Sequence, residues 1–292
     1  MLVQRIQMHK AIKRITQTTK VIQEGNINMR YRVPTTQNEI QNLGGELNRM
    51  MDYFQNIFGR TAFLEEERKQ MIANISHDLR TPLTSLLGYM EALQNDRDLT
   101  IQEKEEFLAI AATKGDSLMK LLQDFFELAR LEANDSRPQI EKINLTDIIQ
   151  ETLVSFYPQF KKISITPAIE IPDKPLFVLG DKEYIKRICN NLLSNALRYG
   201  TDGNEIGVKV RNENNFVWVE VWDKGKGISE NDLPKIFDRL YTGQVSRSTS
   251  LQGTGLGLTI TKDLVGQLGG TIKASSIPYQ KTSFTFSLRL YK

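Results

Sequence analysis

The sequence predicts an α+β protein in which a long helical region is followed by a domain of mixed helices and strands. Three observations predict this fold class. Apolar residues in the first hundred positions recur at spacings of three and four, the period of packed helices. A second amphipathic segment runs from about 101 to 131. Beyond residue 142, helical segments alternate with short β-branched runs, which is typical of helices layered on one face of a sheet, an α/β sandwich. The predicted strands cover 163–166, 177–179, 206–210, 216–222, 271–275 and 284–290.

Length and composition limit the classes of function. The 292 residues suffice for two domains. Thirty-eight basic residues nearly balance 35 acidic ones without a dense basic run, so we expect no nucleic-acid partner. A single cysteine, Cys189, excludes an intrachain disulfide and suits a reducing compartment. No apolar run approaches the roughly 18 residues that cross a bilayer. The sequence is therefore expected to be a soluble protein or the cytoplasmic portion of a membrane protein.

The helical region begins with a predicted helix over 6–22 that stops at Gly25. After a loop containing Pro34, an apolar repeat of period 3.5 continues for five heptads, which predicts a coiled coil and hence a dimer or bundle. His77 falls two residues past the last position of this repeat and is expected to face solvent. The repeat consists of Ile40, Leu43, Leu47, Met50, Phe54, Ile57, Leu64, Met71 and Ile75.

The repeat leads into a predicted helical hairpin. Pro82 removes one backbone donor and should kink the first helix just beyond His77. A loop at 94–99 separates it from the second helix. Two such antiparallel helices from each of two chains would form a four-helix bundle. The predicted boundaries are a signal-relay stalk at 1–58, a dimerisation domain at 59–133, a linker at 134–143 and a second domain at 144–292.

The first motif of the second domain lies on a predicted helix. Asn191 and Asn195 are four residues apart and share one face. Amide oxygens are hard, neutral ligands suited to Mg²⁺ that already carries phosphate oxygens. Two asparagines on a solvated helix face are the alternative. The buried face of the same helix is formed by Ile185, Cys189, Leu192 and Ala196.

The second motif follows a predicted strand over 216–222. Asp223 lies on the same face as the valines of that strand, where a carboxylate needs a donor such as the amine of adenine. Gly225 and Gly227 allow the chain to turn close to a flat ring. The alternative is an aspartate satisfied by its own glycine turn.

The third motif is a glycine-rich segment that opens a helix ending near 268. Glycines before a helix expose backbone N–H groups at the positive end of the helix dipole, which favours phosphate. The sequence contains neither a P-loop nor the catalytic signatures of Ser/Thr/Tyr protein kinases. The glycines are Gly253, Gly255 and Gly257.

Taken in order, these motifs resemble the sequence boxes of sensor histidine kinases over roughly 60–292. The resemblance implies a Bergerat-type ATP-binding domain, the fold of gyrase, Hsp90 and MutL, after a HisKA-type dimerisation domain. The matching segments are Ser76 to Pro82 (H box), Asn191 to Asn195 (N box), Asp223 to Gly227 (G1 box), Phe237 to Tyr241 (F box) and Gly253 to Gly257 (G2 box).

The segment before residue 58 resembles a HAMP domain, a helical relay that follows the last membrane span of many bacterial receptors. Ala11 replaces a customary proline and Asn38 a customary acid. A generic two-helix coiled coil is the alternative. The matching residues are Gly25, Glu39, Ile40, Leu43, Leu47, Asn48 and Met51.

The resemblance implies roles for individual residues, with ATP and Mg²⁺ as cofactors. His77 would accept the γ-phosphoryl group, Asp78 would orient its ring, and Thr81 would position water for a regulator-phosphatase activity. Arg239 is the candidate cation near the transferring group, although the chain continues Leu-Tyr-Thr where the family commonly has Phe-Tyr-Arg. Asn195 would hold Mg²⁺. The implied nucleotide-binding residues are Asn191, Asn195, Arg198, Tyr199, Asp223, Gly225, Gly227, Gly253, Gly255 and Gly257, beside a mobile lid over about 229–252.

The implied partners are a second copy of the chain and the receiver domain of a response regulator, with a membrane sensor segment outside this sequence. Two alternatives remain open. A degenerate kinase would bind nucleotide and relay a signal without phosphoryl transfer, which the altered F box favours. An ATP-driven clamp of the gyrase or Hsp90 type would hydrolyse ATP without a phosphoprotein. Whether phosphorylation occurs within one chain or between chains depends on the loop at 94–99.

Overall fold

The computed structural model describes residues 2–33, 38–96, 99–132, 138–239, 241 and 255–291. It divides into two compact units, Met1–Ala73 and Asn74–Lys292. In the described residues, no helix combines the length and apolarity needed to span a membrane.

The first unit contains α1 (Leu2–Gln23) and the beginning of α2 (Asn38–Asn95). Gly25 follows α1 with a positive φ of 106°, so the helix stops where the sequence predicts. The segment between α1 and α2 is fixed to α2 by Asn48. The side chain of Asn48 accepts a hydrogen bond from the Tyr31 amide at 2.7 Å and donates one to the Tyr31 carbonyl at 3.0 Å.

The second unit begins with a helical hairpin made by the end of α2 and α3 (Ile101–Glu132). Tyr89 and Phe107 meet edge to face, with ring centroids 5.2 Å apart. Thr100 and Glu103 form a capping box at the start of α3, since each side chain binds the backbone amide of the other. The burial of Glu103 is negligible, and its bonds from Thr100 lower the pKa of its carboxyl.

The rest of the second unit is an α/β sandwich. The helices are α4 (Leu145–Ser155), α5 (Tyr157–Lys162), α6 (Lys182–Tyr199) and α7 (Gly257–Gln267). The strands are β1 (Glu141–Asn144), β2 (Ala168–Glu170), β3 (Phe177–Gly180), β4 (Ile206–Glu213), β5 (Phe216–Asp223), β6 (Ile272–Ile277) and β7 (Lys281–Arg289).

The main sheet has the strand order β2-β4-β5-β7-β6, parallel between β2 and β4 and antiparallel elsewhere, while β1 and β3 form a separate pair. Alternate residues of β5 are buried, as the period of two predicts. Val217 and Val219 lie opposite Leu288 and Phe286 of β7, and all four are fully buried. These side chains form the core beneath α6 and α7, which pack on β5 and β7. The predicted fold class is confirmed.

Two local predictions are wrong. Residues 163–166, predicted as a strand, instead end α5: Ser164 has a positive φ of 57°, and the Ile165 amide donates to the Phe160 carbonyl at 3.1 Å. This is a Schellman turn, in which apolar and polar residues alternate in sequence as they do in a strand. Residues 141–143, predicted as the end of the linker, form most of β1.

Candidate phosphoacceptor and nucleotide site

His77 lies on the solvent side of α2, and 76% of its side chain is exposed. Its Nδ1 is 3.2 Å from Oδ1 of Asp78. An ionised carboxylate can only accept a hydrogen bond, so we infer that Nδ1 carries the proton and Nε2 presents its lone pair to solvent. The Thr81 hydroxyl donates to the His77 carbonyl at 3.3 Å. The arrangement therefore offers Nε2 as one accessible ring nitrogen.

Asp223 ends β5 inside the second unit and is only 5% exposed. Its Oδ1 accepts from the Gly225 amide at 2.9 Å. Burial raises the pKa of this carboxyl, and the bond from Gly225 partly opposes that effect. In the part of the chain that the structure describes, Oδ2 has no hydrogen-bond donor, so it can accept one from a ligand.

Two glycines allow the end of α6 to approach Asp223 closely. A Cβ on Gly200 would lie 2.3 Å from the Cβ of Asp223, and one on Gly225 would lie 2.3 Å from the Tyr199 carbonyl oxygen. Any other residue would push α6 and β5 apart. The sequence predicted Gly225 but missed Gly200, since a glycine after a helix is commonly only a stop signal.

Thr282 is a second residue that the sequence missed. It pairs with Asp223 across β5 and β7, so the two side chains share a face of the sheet, and it is 4% exposed. Its hydroxyl lies 2.9 Å from that of Ser276. The only available signal was the strand β7, which the sequence predicted to begin at 284, three residues after its first residue, Lys281.

Asn191 connects α6 to α7. Its Nδ2 donates to the Gly257 carbonyl at 3.1 Å and lies 3.3 Å from the Thr261 hydroxyl, with the residue 8% exposed. Asn191 therefore fixes the first turn of α7, where the glycine-rich segment ends. This role was not predicted.

Asn195 and Arg198 follow Asn191 by one and two helical turns, on the same side of α6. Both are half-buried, and neither side chain has a polar partner among the described residues. Tyr199 is 41% exposed beside them. An amide oxygen and a guanidinium of this kind at one helix end could hold a magnesium-phosphate group.

The F box is fixed to α7. The Thr259 hydroxyl lies 3.2 Å from the carbonyl oxygens of both Phe237 and Asp238, and the Phe237 ring meets Phe284 at 6.4 Å. The exposed Arg239 follows directly. These contacts therefore fix the beginning of the F box against α7, the helix that follows the glycine-rich segment.

The remaining glycines flank these elements. Gly227 and Gly255 have positive φ values of 77° and 65°, and Gly257 begins α7. Gly253 and about half of the predicted lid lie outside the described residues, and Leu240 and Thr242 are among them. In the described ranges there is no cluster of three or more His, Cys, Asp or Glu side chains. A metal site here would thus depend on asparagine and on phosphate oxygens.

Three family models match the chain. The HAMP domain matches residues 6–56, the His Kinase A (phospho-acceptor) domain residues 67–134, and the histidine kinase-, DNA gyrase B-, and HSP90-like ATPase residues 180–292. Sensor histidine kinase YcbM of Bacillus subtilis is 39% identical over 88% of this chain and 83% of its own length. The chain belongs to the sensor histidine kinases.

Other relatives agree with this membership. Sensor histidine kinase WalK of B. subtilis is 32% identical over 77% of this chain, which spans only 37% of WalK. Histidine kinase AdeS of Acinetobacter baumannii has the same fold, with a TM-score of 0.61 at 22% identity over 74% of this chain and 98% of that one. Histidine kinase ThkA, solved in complex with response regulator protein TrrA, also has this fold. Its TM-score is 0.61 at 24% identity, over 76% of this chain and 61% of the ThkA chain.

The predictions of a sensor histidine kinase and of protein-histidine kinase activity are therefore confirmed. Members of this family phosphorylate themselves on histidine and pass the phosphoryl group to a response regulator, and the chain contains the phospho-acceptor and ATPase domains that this requires.

Proposed function

We propose that His77 is the phosphoacceptor of this sensor histidine kinase and that ATP is bound around Asp223, Asn195 and Arg198. The observation that carries the proposal is the exposed His77 ring, whose Nδ1 lies 3.2 Å from Oδ1 of Asp78 while 76% of the side chain is open to solvent. A histidine inside the bundle could not receive a phosphoryl group.

In the proposed reaction, Nε2 of His77 attacks the γ-phosphorus of ATP in line. The new N–P bond forms as the bond from that phosphorus to the β–γ bridging oxygen breaks, and ADP leaves with the electron pair. Asp78 stabilises the positive charge that develops on the ring by accepting from Nδ1–H. Mg²⁺ held by Asn195 would supply charge neutralisation on the phosphate oxygens, and Arg239 would add a cation.

The nucleotide would be recognised by residues of the end of α6, the turn after β5 and the start of α7. Asp223 would accept from the amine of adenine, with Gly225 and Gly227 shaping the loop and Tyr199 beside it. Gly253, Gly255 and Gly257 would bind phosphate at the start of α7. ShkA, which has the same fold with a TM-score of 0.57 at 23% identity, was solved at full length in complex with AMPPNP.

The proposed partners are a second copy of this chain, through the hairpin of α2 and α3, and the receiver domain of a response regulator. The N–P bond of phosphohistidine is labile, so transfer to an aspartate is favourable. We further propose a regulator-phosphatase activity, because Thr81 lies one turn from His77 on the same face. The HAMP match supports attachment to a membrane sensor segment, which would make this chain a cytoplasmic portion.

The test uses the two histidines of the chain as a matched pair. Radiolabelled ATP should place acid-labile, alkali-stable phosphate on the wild type and on His9→Gln, in which an exposed histidine of α1 is changed. His77→Gln should incorporate none while still binding nucleotide. Label that persists on His77→Gln would contradict the assignment. ATP hydrolysis without any phosphoprotein would favour an ATP-driven clamp. Nucleotide binding without hydrolysis and without a phosphoprotein would favour a degenerate kinase that only relays a signal.

A further inference from the structure

Three polar side chains form a row across the main sheet, beside the proposed site for adenine. Thr282 of β7 lies opposite Asp223 of β5 on one side and opposite Ser276 of β6 on the other. Residues that pair in this way project from the same face of a sheet, here the face on which α6 and α7 pack. Asp223 and Thr282 are buried, and Ser276 is half-buried. The row therefore leads from the buried carboxylate to the edge strand of the sheet.

Hydroxyl hydrogen bonds connect the outer part of this row and begin at a backbone amide. The Ile228 amide donates to the Ser276 hydroxyl at 2.8 Å, and the hydroxyl oxygens of Ser276 and Thr282 lie 2.9 Å apart. A backbone amide can only donate, so Ser276 is the acceptor in the first of these bonds. A hydroxyl that accepts one hydrogen bond becomes a stronger donor in the next. The bonds therefore favour donation from Ile228 to Ser276 and from Ser276 to Thr282.

The inner end of this chain of bonds is unpaired. Among the residues that the structure describes, the Thr282 hydroxyl has no hydrogen-bond partner other than Ser276, although Thr282 is only 4% exposed. A buried hydroxyl proton without an acceptor is unfavourable unless a ligand supplies one. Oδ2 of Asp223, the neighbour in the row, lacks a donor in the same part of the chain. One free donor and one free acceptor are thus neighbours on the sheet.

This pair of groups matches one edge of adenine. The 6-amine of adenine is a donor, and the adjacent ring nitrogen N1 is an acceptor. Guanine has the opposite pair at these positions, with the acceptor O6 and the donor N1–H. Asp223 and Thr282 therefore fit adenine only while the Thr282 proton points into the site. A Thr282 hydroxyl that donated to Ser276 instead would present a lone pair, which suits the N1–H of guanine.

Ser276 also holds the glycine loop of the G1 box. Its bond from the Ile228 amide lies on one side of Gly227, and on the other side the Tyr279 amide donates to the Gly225 carbonyl at 3.1 Å. Gly227 itself has a positive φ of 77° between these two points. The turn between β6 and β7 thus fixes the loop twice, and loss of the Ser276 hydroxyl removes only one of the two bonds.

We infer that Ser276 is a positioning residue for base recognition, which directs the Thr282 proton into the site and so favours adenine over guanine nucleotides. The inference rests on the function proposed above, in which Asp223 accepts from the amine of adenine. Strand β7 separates Ser276 from Asp223. Ser276 therefore acts on the base through Thr282 and not by direct contact.

The test compares the binding of ADP and of 1-deaza-ADP, in which a C–H group replaces N1 of the base and the 6-amine is kept. Calorimetry on the full-length wild type should show ADP binding at least roughly fivefold more tightly, the contribution of one neutral hydrogen bond. In Ser276→Ala the Thr282 hydroxyl can occupy any of its three staggered positions, so this preference should fall by roughly a factor of three. The preference for ATP over GTP should fall with it. The rate of autophosphorylation at saturating ATP should stay unchanged, because the reacting phosphoryl group lies at the other end of the nucleotide.

The matched control is Ser275→Ala. Ser275 precedes Ser276 on β6, and its hydroxyl lies 2.9 Å from that of Ser283 on β7. This pair connects the same two strands on the opposite face of the sheet, so the variant loses an equivalent contact and leaves the row intact. Its preference for ADP over 1-deaza-ADP should equal that of the wild type. Ser276→Thr keeps the hydroxyl on a strand that tolerates β-branched residues and should also match the wild type.

The inference would be overturned by a wild type that binds the two ligands equally, or by an unchanged preference in Ser276→Ala. Equal weakening of both ligands in Ser276→Ala would also overturn it, because the hydroxyl would then only hold the loop. Should Ser276→Ala fail to fold, Thr282→Val removes the inner hydroxyl with little change of shape and should abolish the preference.

These binding measurements need no phosphoryl transfer, so they separate the inference from the proposed function. A wild type that binds ADP with the expected preference but leaves His77 unlabelled would overturn the proposed reaction alone. A wild type that binds no ADP would overturn the proposed function and this inference together.

Discussion

Replacement of Asn191 by alanine tests whether the link from α6 to α7 supports nucleotide binding. The change removes the donor to the Gly257 carbonyl at 3.1 Å and the contact with the Thr261 hydroxyl at 3.3 Å. The Gly257 carbonyl keeps a bond from Thr261 at 2.7 Å, so no buried acceptor is left unpaired. At about 1 kcal/mol for each neutral hydrogen bond, the expected loss of stability is roughly 1–3 kcal/mol.

The assay can be selective for the ATP-binding domain. The chain has two tryptophans, Trp218 and Trp222, and both lie in β5. Urea unfolding followed by tryptophan fluorescence therefore reports this domain rather than the helical region. Titration with Mg²⁺-ATP then measures whether the first turn of α7 keeps its position, and we expect affinity to fall at least about tenfold, equivalent to ~1.4 kcal/mol.

The control is Asn190→Ala, one residue earlier on the exposed face of α6. Exposed substitutions commonly change stability by less than about 0.5 kcal/mol. Asn190→Ala should therefore match the wild type in both measurements. Equal behaviour of Asn191→Ala and Asn190→Ala would refute the reasoning, since the buried amide would then contribute nothing to the position of α7.

Three further predictions concern ionisable groups. Asp78→Asn should slow autophosphorylation roughly ten- to a hundredfold with the KM for ATP unchanged, because the amide no longer favours the Nδ1–H form of His77. The effect should be smaller than the ~10⁴-fold loss seen when the aspartate of a buried catalytic triad is replaced. Single-turnover kinetics measure the rate. Burial raises the folded-state pKa of Asp223, so its contribution to stability is present below the unfolded value and is lost as pH rises through the folded value. The free energy of unfolding, measured with urea at a series of pH values, should show this fall in the wild type and not in Asp223→Asn. Burial also raises the pKa of the Cys189 thiol to about 12, so iodoacetamide at pH 8 should modify it in urea but not in the folded protein.

Local periodicity accounts for what the sequence predicted well. The alternation of Val217 and Val219 and the position of Asp223 follow from the two-residue period of β5, which no distant residue can alter. The exposure of His77 follows equally from its distance to the apolar repeat. The Schellman turn at Ser164 shows the limit, because two isoleucines on either side of a left-handed residue have the same spacing as in a strand.

The features that the sequence missed are long-range. Asn191 binds Gly257, 66 residues later, and Arg187 binds Asp124, 63 residues earlier. No spacing rule connects such pairs. Gly200 is required by the closeness of β5 to α6, and this closeness exists only after folding. Thr282 similarly becomes part of the site only through its pairing with Asp223 across the sheet.

Pro82 lies inside α2, five residues after His77. Proline has no backbone N–H, so the Asp78 carbonyl four residues earlier lacks its usual helical donor. The turn that holds the reacting ring is thus joined to the following turn by one hydrogen bond fewer than any ordinary turn. Bending or rotation of α2 should concentrate there, and a signal arriving along the helix would then reorient His77 and Asp78 before it reached the loop of the hairpin.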